Sequence, residues 1–170
     1  MSDQIMRGLV YGKGAHADPL ACVEDISAAI AARRVPGYPH SIWQIVSHLN
    51  YWMDYDLRTI AGDHPPYPQH AIESWPQHPE PAAQPAEDQW QLAIQQFREL
   101  LTRIVSLSDA DAATLDRFVT KAEPADRQRQ CTVRTALWEI VVHNSYHVGQ
   151  IALLRRQAGA WPPQHGSDTW

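Results

Sequence analysis

"TVRTALWEIVVHNSYHVGQIALLRRQA", residues 132–158, is the clearest helical signal in the chain. Val133, Leu137, Val141, Val148, Ile151 and Leu154 recur at the three- and four-residue spacing that lines one face of an α-helix. Thr132 is placed to cap its start, and Arg155 and Arg156 complement the negative end of its dipole. Gly159 ends it, and Pro162 and Pro163 prevent continuation. Within this run His143 and His147 stand four apart, so they share one face, one turn above the other.

Three more stretches carry the same period. The first runs from about Asp18, with Asp18 as cap and Pro19 in the first position, to Arg33, striped by Leu20, Val23, Ile26 and Ile30. The second runs from about Ser41 to Ile60, striped by Ile42, Val46, Leu49, Met53, Leu57 and Ile60, with Gly62 terminating it. The third spans about Glu87 to Leu107, with Trp90, Ile94, Phe97, Leu101 and Ile104 in register. Between the second and third lies a proline-dense stretch, residues 62–89, long enough at about 3.3 Å per extended residue to retrace a helix of ~30 Å. Connections of that length are usually functional or crossovers. Residues 108–131 read as a polar linker with a short helical turn near Leu115, and no stretch reads as a convincing strand. The expectation is an all-α, single-domain four-helix bundle spanning 1–170.

Bulk properties narrow the function classes. The net charge of −5 and the absence of a basic stripe speak against a nucleic-acid partner. No apolar run approaches the ~20 residues that span a bilayer, and the start lacks a secretory pattern. Cys22 and Cys131 read as small packing residues, which favours a reducing, cytoplasmic setting.

Histidine placement matters more than histidine number. With nine histidines in 170 residues, chance alone supplies about half an H-x-x-x-H pair, so the spacing is weak by itself. Only His48, His143 and His147 fall inside helices among apolar residues. If the second and fourth helices run antiparallel with aligned ends, all three lie at one height, whereas a parallel pairing staggers them by ~6–12 Å. Buried imidazoles need partners for both nitrogens. A divalent cation accepts all three lone pairs, but separate core or surface histidines remain the competing reading. A metalloprotease motif fails, because Asn144 stands where H-E-x-x-H needs glutamate. Glu139, Tyr51 and Asn144 are candidates to support the ligand rings from behind, Glu139 by accepting a ring N–H. Glu139 reads equally as a solvated helix residue, and Tyr51 more readily as a packing residue.

"HSIWQIVSHLNYW" (40–52) and "ALWEIVVHNSYHVGQIALLRRQAGAWPP" (136–163), with "DPL" and "ESWP" in matching order, closely resemble the DinB superfamily, in particular its YfiT-like branch. The resemblance covers most of the chain. It implies an up-down-down-up bundle with a long crossover between helices two and three, which makes helices two and four antiparallel. It further implies His48, His143 and His147 as ligands of a metal, and a homodimer. Branches of the superfamily include metal-dependent hydrolases and thiol-dependent S-transferases or isomerases. A DNA-damage role suggested by the name is disfavoured by the acidic charge.

Three imidazole donors leave a divalent ion an open position, the mark of catalytic sites, and suit zinc or nickel alike. The expected function is thus a metal-dependent transferase or hydrolase acting on a small molecule, with a low-molecular-weight thiol as one candidate partner. The alternative is a non-catalytic, metal-stabilised dimeric binding module. "ESWPQH" (73–78) and Tyr67 are candidates for a lid, with a plain surface crossover as the favoured use of that segment.

Overall fold

A computed structural model describes residues 2–76, 85–125 and 127–165. Part of the proline-dense stretch, including Gln77 and His78 of the candidate lid, lies outside them. Among the described residues the chain is mostly helical: α1 (Ser2–Val10), α2 (Ala28–Ala31), α3 (Ile42–Ala61), α4 (Glu87–Ser108), α5 (Ala112–Asp116) and α6 (Val133–Gln157). To these it adds one 3-10 turn (Ala71–Ser74) and a hairpin of β1 (Phe118–Glu123) and β2 (Arg127–Thr132).

The three long helices lie where their periodicity places them, and the ends of α3 and α6 have the expected chemistry. Ser41 and Gln44 form a capping box at the start of α3: the Gln44 amide donates to Ser41 Oγ at 3.3 Å and the Ser41 amide donates to Gln44 Oε1 at 3.0 Å. Gly62 closes α3 in the left-handed conformation, φ 93°. Thr132 Oγ1 accepts from the Thr135 amide at 3.1 Å to start α6.

The first predicted helix does not form as drawn. Asp18 does cap, accepting from the Leu20 and Ala21 amides at 2.8 and 3.2 Å. Beyond it the chain follows turns until the short α2. The reason is tertiary competition for the backbone. The Ala21 carbonyl accepts from Arg155 Nη1 at 3.0 Å, the Ile26 carbonyl from Trp90 Nε1 at 2.8 Å, and the Ala28 amide donates to Glu87 at 2.9 Å. Cys22, Val23 and Ile26 are buried as a helix stripe would bury them, but without the helix. In its place α1, which the sequence reading passed over, packs against α4 and α6 and buries Met6 and Val10. The turn after α1 needs Gly12: φ is 72°, and a Cβ there would meet the His16 carbonyl at 2.4 Å.

The expected linker is also more structured than its polarity suggested. Leu115 is buried on α5, as anticipated, but residues 118–132 form an antiparallel hairpin with Val119 opposite Cys131. Only these two apolar positions face inward, so the alternation is too sparse to read. The hairpin packs on α3 and α6.

One hydrophobic core joins these elements. α3 packs on both α4 and α6, and Leu49, Phe97, Leu101, Ile104, Leu137 and Ile151 are sealed between them. Contacts run in opposite order along α3 and α6: His48 meets His147, Met53 meets Asn144, and Asp56 is joined through Lys121 to Glu139. Along α3 and α4 they run in the same order, Asn50 with Ala93 and then Asp54 with Arg103. Among the described residues no helix is long and apolar enough to cross a membrane. Cys22 and Cys131 are buried free thiols, and burial pushes Cys22 up to about 12.

Candidate metal centre

The opposed order of α3 and α6 brings His48, His143 and His147 together. Ring centroids are 5.2 Å apart for His48 and His143, 5.0 Å for His48 and His147, and 4.6 Å for the helical pair. One ring nitrogen from each lies within 4.8 Å of the other two. His48 and His147 are each 6% exposed.

Two of the rings are held from behind. His48 Nδ1 lies 3.1 Å from the Ser74 carbonyl, which can only accept, so Nδ1 carries the proton and Nε2 keeps its lone pair. Ser74 Oγ, 3.2 Å away, donates instead to the Ala71 carbonyl and presents a second acceptor to the same N–H. His147 Nδ1 lies 2.7 Å from Gln150 Oε1, which fixes its tautomer in the same sense. Burial pushes His48 down to about 3, against the opposing pull of the Ser74 carbonyl. Burial, with His147 and Lys121 adding, pushes His143 down to about 4. His147 is lowered by burial as well, partly offset by Gln150. At neutral pH all three rings are therefore uncharged and offer lone pairs. A set of three neutral, convergent nitrogens fits a divalent ion.

His48 and His143 line a cleft of about 480 Å³. Trp52, Met53 and Ile140 make one side apolar, and Tyr67, Pro68, Ala71, Ser74 and Trp75 form the other. The "ESWP" segment is thus a wall of the cleft rather than a bare surface crossing. Trp75 stacks on His48 with centroids 3.8 Å apart and planes 9° from parallel. On its other side His40 stacks at 3.6 Å and 8°.

The candidates to support the rings sit in different places. Glu139 lines the cleft, but its carboxylate accepts from Lys121 at 2.9 Å and from Arg129 at 2.7 Å, while Ser74 and Gln150 serve the histidines. Asn144 also lines the cleft and donates to Met53 Sδ at 3.2 Å. Tyr51 turns its ring edge-on to Trp52 at 5.3 Å, and burial with nearby Glu73 raises its hydroxyl. Sequence reasoning missed Gln150, Ser74 and the charged group around Lys121. Gln150 carried a signal, since residue i+3 on a helix can reach a ring at i. Lys121 carried none, because its position depends on the unread hairpin. It bridges Asp56 at 2.8 Å and Glu139 at 2.9 Å. Burial alone would lower its ammonium, but the two carboxylates outweigh that and hold it above its ordinary range.

Comparison with known proteins adds the family. No curated protein and no solved structure matches the chain. A family model described as the DinB superfamily matches residues 14–151, a span holding all three histidines, α3, α4, the hairpin and most of α6. The chain belongs to the DinB superfamily.

Proposed function

We propose that His48, His143 and His147 hold a divalent ion, zinc or nickel, beside the cleft, and that the protein is a metal-dependent enzyme. The reaction we assign is a thiol-dependent S-transfer or a hydrolysis on a small molecule bound in the cleft. The observation that carries this reading is the convergence of three neutral imidazole nitrogens within 4.8 Å, two of their rings, His48 and His143, lining a largely apolar cleft. Membership of a metal-binding superfamily supports it. When bound, such an ion supplies Lewis-acid activation of a water or thiol near neutral pH.

The chain's own residues do the rest. Ser74 and Gln150 keep the Nδ1 protons of His48 and His147 in place and so hold both rings in the ligating tautomer. Trp52, Met53, Ile140 and Trp75 receive an apolar body and exclude water from it. Asp56 and Glu139 give the same cleft a polar wall, fixed by Lys121.

We further infer an up-down-down-up bundle, which the contact order along α3, α4 and α6 supports, and a cytoplasmic homodimer. Exposed Val142, Tyr146 and Leu153 on α6 support a self-association surface. Sedimentation velocity that returns a monomer at micromolar concentration refutes the dimer.

The test of function is metal analysis of the purified chain, followed by melting and turnover of electrophile–thiol, ester and amide panels with and without added metal. Metal-dependent turnover that disappears in His143→Ala supports the enzyme. A large metal-dependent gain in melting temperature without turnover across the panels refutes the enzyme and assigns a metal-stabilised binding module.

A further inference from the structure

The bundle supplies the three imidazoles, but the crossover supplies what fixes one of them. A histidine on a helix is free to turn about two side-chain bonds, so a convergent ring needs its edge and its plane restrained separately. Ser74 restrains the edge of His48 by receiving Nδ1–H at 3.1 Å. Trp75, the next residue, restrains the plane by lying flat against it at 3.8 Å. His40, just before α3, backs the indole from its other face at 3.6 Å. The result is a three-ring stack, His40, Trp75 and His48, with one outer ring in the histidine group and the other at the foot of α3.

Several hydrogen bonds within residues 69–74 shape the segment locally. Glu73 accepts from the Gln69 and His70 amides, and Ser74 Oγ donates to the Ala71 carbonyl. The bond to His48 reaches across to the bundle, 26 residues away in sequence. The contacts that restrain the ring therefore also tie the segment to the bundle.

We propose that Trp75 is a positioning residue for His48, and that docking of residues 71–75 is energetically coupled to loading of the three-histidine group. This rests on the metal reading given above. Coupling is reciprocal: if the docked segment raises metal affinity by some factor, bound metal favours docking by that same factor. Partners that orient a ligand ring typically change affinity about 10–100-fold, which sets the expected size.

The test uses the full chain stripped of metal and titrated with zinc sulfate against a chromophoric chelator. Trp75→Ala is expected to weaken zinc about 10–100-fold, and Trp75→Phe, which keeps a stacking ring, to stay within about threefold of the unmodified chain. Hydrogen exchange of residues 71–76 is expected to slow on zinc addition in the unmodified chain and not in Trp75→Ala. A merely structural tryptophan would not make that exchange respond to zinc. Trp75→Ala affinity within twofold, or exchange indifferent to zinc, overturns the proposal. If Trp75→Ala does not fold, Trp75→Leu, which fills the space without a flat ring, replaces it in both measurements with the same expected and overturning outcomes. His48→Ala separates the two readings: unchanged zinc affinity there refutes the metal site itself. Loss there with none in Trp75→Ala refutes only the positioning role.

Discussion

Acid should destabilise the metal-free protein through two of its site histidines. In the folded chain His48 titrates at about 3 and His143 at about 4, against 6.5 for an ordinary imidazole. Both values are depressed by burial, so between pH 6.5 and those values the unfolded chain binds protons that the folded chain refuses. Stability therefore falls as the pH falls through this window, and the loss levels off only near the folded values. Each ring contributes at most about 1.4 kcal/mol per pH unit, so going from pH 7 to 5 removes at most about 3–4 kcal/mol for the two. That is a large part of the ~5–15 kcal/mol that holds a typical domain together. Urea unfolding of chelator-treated protein at pH 7 and pH 5 measures the loss. The control is the double variant His48→Gln with His143→Gln, which keeps polar side chains and cannot titrate. Its stability should fall by about 3–4 kcal/mol less over the same interval. Parallel losses in the two proteins would mean that the rings are not shielded from protons, and the description of the site as buried and neutral would fail.

The other expectations concern how the scaffold carries the site. Arg155→Met removes a guanidinium that is fully buried against Asp25 at 2.7 Å and the Ala21 and Ala160 carbonyls, and should cost about 3–5 kcal/mol in urea unfolding. Lys121→Met leaves Asp56 without its paired cation, while Glu139 keeps Arg129 at 2.7 Å. Burial already raises the Asp56 carboxyl despite Lys121, so the variant's stability deficit at pH 7 should shrink on acidification to pH 5, as the orphaned carboxyl takes up a proton. A deficit that stays constant or grows over that interval counts against the assignment. Trp90→Phe loses the bond from Nε1 to the Ile26 carbonyl and leaves that buried carbonyl unmatched, at about 1–3 kcal/mol by thermal melting.

Much of the architecture was legible because local chemistry and burial agree in the long helices. In α3, α4 and α6 the apolar stripe is the buried face, and Ser41, Gly62 and Thr132 cap where their side chains allow. His48, His143 and His147 could be singled out for the same reason, as polar residues set into such stripes. Reading failed where burial and backbone pairing parted company. Residues 18–28 carry a helical stripe, yet Trp90, Arg155 and Glu87 claim backbone groups that a continuous helix would use. The hairpin gave no apolar alternation because Val119 and Cys131 are its buried apolar residues, and the charged Lys121 and Arg129 also meet the bundle.

By itself, then, the sequence determined the three long helices, the caps of α3 and α6 and the identity of the histidines, since each depends on neighbours within a turn or two along the chain. Only the tertiary structure decided that α3 and α6 oppose each other closely enough to gather those rings. It also decided that Ser74 and Trp75 come back from the crossover to hold His48, and that Lys121 joins two helices from a hairpin. These depend on contacts between residues far apart in the chain, which side-chain periodicity does not encode.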